Sequence, residues 1–155
     1  MIRLLVLVLA VAACSKGTTH ATARSSVPDG NACDRHLVTA SDAAAILGAP
    51  ITDTKTLPGD AQTCVFTTAA FSTLTITLRP GLGTVTVATW LGGKMPVGAT
   101  PLDGVGERAA WVSSLHEVVA TKNALLCDVQ AGGASQAALG ALCNKIFAAS
   151  SPTPS

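Results

Sequence analysis

The sequence predicts an α+β domain: an antiparallel β-sheet of about five strands with two or three packed helices, stapled by disulfides. Three observations carry the expectation. Short β-branched runs alternate apolar and polar residues, helix start and stop signals bracket them, and four cysteines are spread through the same region. The chain has 155 residues, which suits one domain.

The elements follow in order. Thr39-Ala-Ser-Asp42 forms a capping-box pattern, Ala43 to Leu47 continues a helix, and Gly48 and Pro50 end it. Ile46 and Leu47 are expected to face the core. Ile51 to Thr63 reads as a polar loop with a turn at Pro58-Gly59-Asp60. Cys64 to Thr68 reads as a short strand and Ala69 to Ser72 as a hairpin connection. Leu74, Ile76 and Leu78 then alternate with Thr73, Thr75 and Thr77, the period of a half-buried strand that Arg79-Pro80-Gly81 stops. Thr84 to Leu91 fits either a strand or a helix; Val87, Trp90 and Leu91 fall at helical spacing, and the helix is preferred. Lys94 to Gly106 reads as a Gly/Pro-rich loop.

Glu107 to Ser113 is expected to be a strand with Trp111 as its large apolar residue. His116 to Thr121 and Ala124 to Gln130 form a hairpin around Lys122-Asn123, and Gly132-Gly133 breaks the sheet. Ser135 is an N-cap for a closing helix on which Leu139, Leu142, Cys143 and Ile146 make an i, i+3, i+4, i+7 stripe. The globular domain is thus assigned to residues 32–148, with a disordered tail over 149–155.

The start of the chain sets the expected location. Arg3, the apolar run Leu4 to Leu9 and the small residues after it make a secretory signal peptide over 1–13, too short to span a bilayer. Val11-Ala12-Ala13-Cys14 resembles the lipobox of bacterial lipoproteins. That resemblance implies cleavage before Cys14, acylation of Cys14, and anchorage to a membrane on its extracytoplasmic face. Residues 14–31 carry Val27 as their only large apolar residue and read as a flexible tether, with His20 solvated inside it.

Export gives the cysteines a meaning. With Cys14 lipidated, Cys33, Cys64, Cys127 and Cys143 imply two disulfides with three formal pairings. Cys33–Cys64 and Cys127–Cys143 are preferred because each joins neighbours in chain order. Cys127 on a strand's inward face and Cys143 on the closing helix's buried stripe are also placed to meet.

A second resemblance lies inside the domain. Cys33-Asp-Arg-His-Leu-Val-Thr39, Ala43 to Leu47, Gly48-Ala-Pro50-Ile51 and Cys64-Val-Phe66 resemble small exported lipoproteins of high-GC bacteria, domains of unknown function. Gly104-Val-Gly106-Glu-Arg-Ala-Ala-Trp111 in the C-terminal half is similar too. The resemblance implies a cell-envelope role and supplies no catalytic residues.

Composition argues against several classes. Lys plus Arg is 10 and Asp plus Glu is 9, so there is no basic excess for nucleic acid and no polybasic cluster for anionic lipid. No cysteines stand as C-x-x-C, and His20, His36 and His116 lack metal spacing, so no metal or cofactor is expected. Asp34, Asp42, Asp53 and Asp60 do not follow the EF-hand pattern. Gly81-x-Gly83 and Gly104-x-Gly106 lack the rest of a phosphate loop.

Ser113, Ser114, His116, Glu117 and Asp103 supply the residue types of a hydrolase triad, but no G-x-S-x-G elbow surrounds either serine. An enzyme is therefore not expected. The leading expectation is a non-enzymatic module that binds another envelope protein. The alternative is a carrier or sensor of a small apolar ligand in a sheet–helix cleft, where Trp90 or Trp111 would line the groove. The threonine face Thr73, Thr75, Thr77 could pair with a partner strand if its own strand is an edge.

Overall fold

A computed structural model describes residues 30–82, 87–89, 91 and 98–151. The expected signal peptide over 1–13, Cys14, most of the expected tether and Trp90 lie outside the described residues, as do the residues beyond 151. The fold is α+β with an antiparallel sheet. Helix α1 spans Ala40–Leu47, and the strands before the middle of the chain are β1 (Ile51–Leu57), β2 (Asp60–Thr68) and β3 (Thr73–Pro80). Residues 87–89 and 91 are helical and belong to α2. Then come β4 (Ala99–Pro101), β5 (Arg108–Val112), β6 (Glu117–Lys122), β7 (Leu125–Ala131) and helix α3 (Gln136–Ser150).

The sheet has seven strands in the order β1-β2-β3-β7-β6-β5-β4, every neighbour antiparallel. Two meanders thus meet where β3 pairs with β7. The expected count of about five is corrected by the two edge strands. β1 lies in the segment read as a polar loop, and six of its seven residues are exposed. An edge strand with little buried surface has no alternating apolar signature to read. The Pro58-Gly59 turn holds, but it joins two strands. β4 is three residues inside the segment read as a Gly/Pro-rich loop and is defined only by pairing with β5.

Local chemistry explains the helix ends. Thr39 Oγ1 accepts from the Asp42 amide at 3.2 Å while Asp42 accepts from the Thr39 amide at 2.8 Å, a complete capping box. Ser135 Oγ accepts from the Ala138 amide at 3.2 Å at the start of α3. Both N-caps are those expected. Ala43 is the fully buried residue of α1, and Ile46 and Leu47 pack on the core partly exposed.

One face of the sheet meets α1 and α3. Phe66, Leu74, Ile76, Leu78, Val129, Leu139 and Ile146 are all at most 2% exposed there. Burying such side chains contributes roughly 1.5–3 kcal/mol each. Both disulfides have the preferred pairing: Cys33–Cys64 with Cα atoms 5.5 Å apart, and Cys127–Cys143 at 6.0 Å. Each ties the sheet to something lying on it, the N-terminal turn in one case and α3 in the other.

The domain boundaries move slightly. Asn31, assigned to the tether, is fully buried. Its Nδ2 donates to Asp34, Thr56 and the Ala61 carbonyl, and its Oδ1 accepts from the Cys33 and Asp34 amides. A buried amide with its donors and acceptor satisfied belongs to the fold. Ala149 and Ser150, assigned to the tail, are the last residues of α3, where Ser150 Oγ accepts from Arg35.

Candidate functional site

Two clefts flank the loop that joins β4 to β5, each with a volume of about 510 Å³. One lies between α2 and the loop and is walled by Ala88, Leu91, Pro101, Glu107, Arg108 and Ala109, among others. The other lies between the loop and α3, walled mainly by Leu102, Val105, Ala137, Gly140 and Ala141 with Asn144 at its rim. Both volumes fall in the range of roughly 300–1,000 Å³ that holds small molecules. The second is the more apolar.

The loop between them is held in place by α3. Asn144 Nδ2 donates to the Gly104 carbonyl at 2.8 Å, and Asn144 Oδ1 accepts from the Gly106 amide at 3.0 Å. A single side chain thus clamps the backbone on either side of Val105. Two glycines permit the close approach. A Cβ on Gly106 would lie 2.4 Å from the Thr121 carbonyl oxygen, and one on Gly140 would lie 2.8 Å from a Val105 methyl. The loop therefore reaches α3 only because neither position carries a side chain.

The sheet face away from α1 and α3 carries a different cluster. Alternation places Glu117, Val119 and Thr121 of β6 there, with Leu126, Asp128 and Gln130 of β7 and Thr75, Thr77 and Arg79 of β3. Val87 of α2 covers part of it, packing on Ala110, Val119 and Leu126. Beside this patch the Glu117 and Asp128 carboxyls share a hydrogen bond. Burial first, and the Asp128 charge second, push Glu117 up to about 8. Burial pushes Asp128 up too, opposed by Glu117 and by Arg79. Two like charges this close in a desolvated setting hold a proton between them.

Further along the face, Thr63 bonds Thr77 at 2.7 Å and donates to Asp60 at 2.9 Å. Arg79 pairs with Asp60 at 2.9 Å. The Gln62 amide and Thr63 hydroxyl hold Asp60 below its ordinary value.

The residues singled out from the sequence do not converge. Ser113 to His116 form the turn between β5 and β6, not a strand continuation. The His116 ring stacks edge-on to Trp111 at 6.0 Å, and its Nδ1 lies 3.2 Å from the Ala134 carbonyl. Glu117 turns to the opposite face to meet Asp128, and Asp103 sits in the loop before β5. Trp111 packs partly buried on the main core, toward the end of β5 away from both clefts. Trp90 lies outside the described residues. β3 lies between β2 and β7, so the threonine face Thr73, Thr75, Thr77 belongs to an internal strand and not to an edge.

Sequence reasoning missed Asn144, Gly140 and Asp128. Asp128 stands between Cys127 and Val129 in a strand whose inward face was recognised, so its outward position was readable. Its partner was not, because that depends on which strand lies beside β7.

Among the described residues no helix is long and apolar enough to cross a membrane, and no three His, Cys, Asp or Glu side chains cluster as a metal site. No protein-family model matches the chain, and no curated protein or solved structure does.

Proposed function

We propose that this chain is a lipoprotein of the cell envelope, anchored through acylated Cys14, whose domain binds a small apolar ligand without catalysis. The observation that carries the ligand is the cleft between the 102–105 loop and α3. Its apolar wall pairs Leu102 and Val105 with Ala137 and Ala141 one helical turn apart, and the Asn144 clamp preforms it. The support for the anchor is the Val11-Ala12-Ala13-Cys14 pattern together with two disulfides, which persist in oxidising compartments.

Binding of N-phenylnaphthylamine, a neutral apolar fluorophore, tests the cleft. Ala141 is exposed on α3, so Ala141→Phe fills the space without touching the core. Loss of binding by tenfold or more with an unchanged melting temperature is expected. Equal binding by the variant would remove the cleft as the site.

A module that binds another envelope protein stands as the second proposal. Its strand-addition form is disfavoured by both sheet edges. β1 carries Lys55 and two register shifts, and β4 is three residues long and ends in Pro101.

A further inference from the structure

We infer that one end of the sheet is a membrane-contact surface, formed by the β2–β3 and β5–β6 turns and led by Phe71. Phe71 is 86% exposed, and its backbone lies at φ 61°. That left-handed conformation suits Gly or Asn and costs a bulky residue about 1 kcal/mol or more. Local stability therefore favours another residue here on two counts, solvent exposure and backbone strain. The turn is nonetheless fully formed. The Phe71 amide donates to the Thr68 carbonyl and the Ser72 amide to the Thr68 hydroxyl. The aromatic ring is presented on a preorganised support.

A second apolar side chain stands at the same end. Thr67 pairs with Thr73, Leu74 with Ala131, Gln130 with Glu117, and Glu117 with Val112, which brings the two turns and the end of β7 together. The Ala131 amide donates to His116, and Gln130 Nε2 donates to the Leu115 carbonyl. Leu115 is 37% exposed. Three strand spacings separate the two turns, about 14 Å. Residues 69–72, 113–115 and 132–133 carry no ionisable side chain; His116 closes the second turn, and Asp53, opposite Thr67 on β1, stands near the first.

The opposite end is more heavily charged. Asp34, Asp60, Arg79, Glu107, Arg108 and Lys122 lie there. Leu57 and Leu82 are exposed there too, but among these charges. Entering the interfacial region of a bilayer costs desolvation of every ion carried in. The Phe71 end carries fewer ions near its tip than the charged end does, so it meets less of that cost.

The choice of a bilayer over a protein partner rests on tether length. This step depends on the proposed Cys14 anchor. Fifteen residues separate Cys14 from Gly30. Extended, they reach about 50 Å at ~3.4 Å per residue, and β2 is about 30 Å long. Gly30 adjoins the charged end, where Asn31 bonds Thr56 and Ala61. The anchor therefore reaches the same leaflet as the Phe71 turn with the charged end pointing away. Contact is then intramolecular, so weak insertion of two side chains suffices.

Hydrogen exchange of the mature chain from Ser15, held by an N-terminal histidine tag on phosphatidylcholine/phosphatidylglycerol vesicles containing a nickel-chelating lipid, tests the surface. Amides of residues 69–72 and 113–116 are expected to exchange at least fivefold more slowly on vesicles than free in solution. Phe71→Asn, which keeps the left-handed turn, is expected to abolish the slowing with an unchanged melting temperature. Unchanged exchange at the turns overturns the inference, as does slowing confined to the charged end. Protection of the turns only by an added envelope protein would assign the surface to a protein partner instead. The tag supplies the anchor, so failure here is distinct from a missing acyl chain on Cys14, which intact mass reads.

Discussion

The two faces of the sheet are built from the same strands and do different work. Under α1 and α3 the inward residues of β2, β3, β6 and β7 are apolar, and both disulfides terminate in that layer. On the other face the same strands present Thr63, Thr75, Thr77, Glu117 and Asp128, and the described part of α2 covers only Ala110, Val119 and Leu126. One face supplies cohesion. The other carries buried groups whose charge depends on pH.

Truncation is expected to show the contrast most strongly. Ile76→Ala removes a fully buried side chain from the cohesive face and should cost about 2–5 kcal/mol. Thr75→Ala, the next residue and half-buried on the other face, should cost under about 1 kcal/mol. Urea unfolding of the two variants measures this. Similar losses at the two positions would end the distinction.

The polar face should dominate the response to pH. Glu117 ionises at about 8 in the folded chain against an ordinary 4.5, so the folded state holds the proton more tightly than the unfolded chain does. Its contribution is complete below pH 4.5 and is lost as pH rises through about 8. The upward shift of Asp128 acts in the same direction. Undiscounted, the Glu117 shift corresponds to about 5 kcal/mol, which solvent screening lowers to a few kcal/mol. Glu117→Gln should flatten the dependence, as read by urea midpoints across that window. A wild-type stability that is flat with pH would show that the two carboxyls do not share a desolvated site.

The smallest effect sharpens the contrast by reversing its sign. The Lys145 ammonium, at 2.6 Å, and then the Thr39 hydrogen bonds hold Asp42 at about 2, below its ordinary 3.8. Its contribution is present above 3.8 and is lost as pH falls through about 2. Thr39→Ala should cost about 1 kcal/mol by opening the capping box. It should also raise the acid midpoint, which circular dichroism would follow; an unmoved midpoint would leave Asp42 to Lys145 alone.

Much of the fold was legible because local chemistry wrote it. The Thr39–Asp42 box, the Ser135 cap, the alternation from Thr73 to Leu78 and the stripe Leu139, Leu142, Cys143, Ile146 each depend on residues a few positions apart. Residues 87–89 and 91 are helical, as the preferred reading of that ambiguous segment had it. The turn between β6 and β7 sits at Asn123-Ala124, both in the left-handed region, one residue from where Lys122-Asn123 placed it. The clefts were legible only as a general expectation of a space between sheet and helix. Asn144 looks like an ordinary exposed helix residue until Gly104 and Gly106, some 40 residues earlier, are placed beside it.

By itself the sequence determined the α+β class, the helix caps, the alternating strands, the presence of four cysteines fit for two disulfides and the lipobox pattern, because each is set by near neighbours or by residue chemistry. Only the tertiary structure decided that polar β1 and short β4 are strands, that β3 lies inside the sheet, and that Glu117 meets Asp128. Those facts depend on strand order and edge pairing, where backbone groups distant in the chain bond to each other whatever side chains they carry.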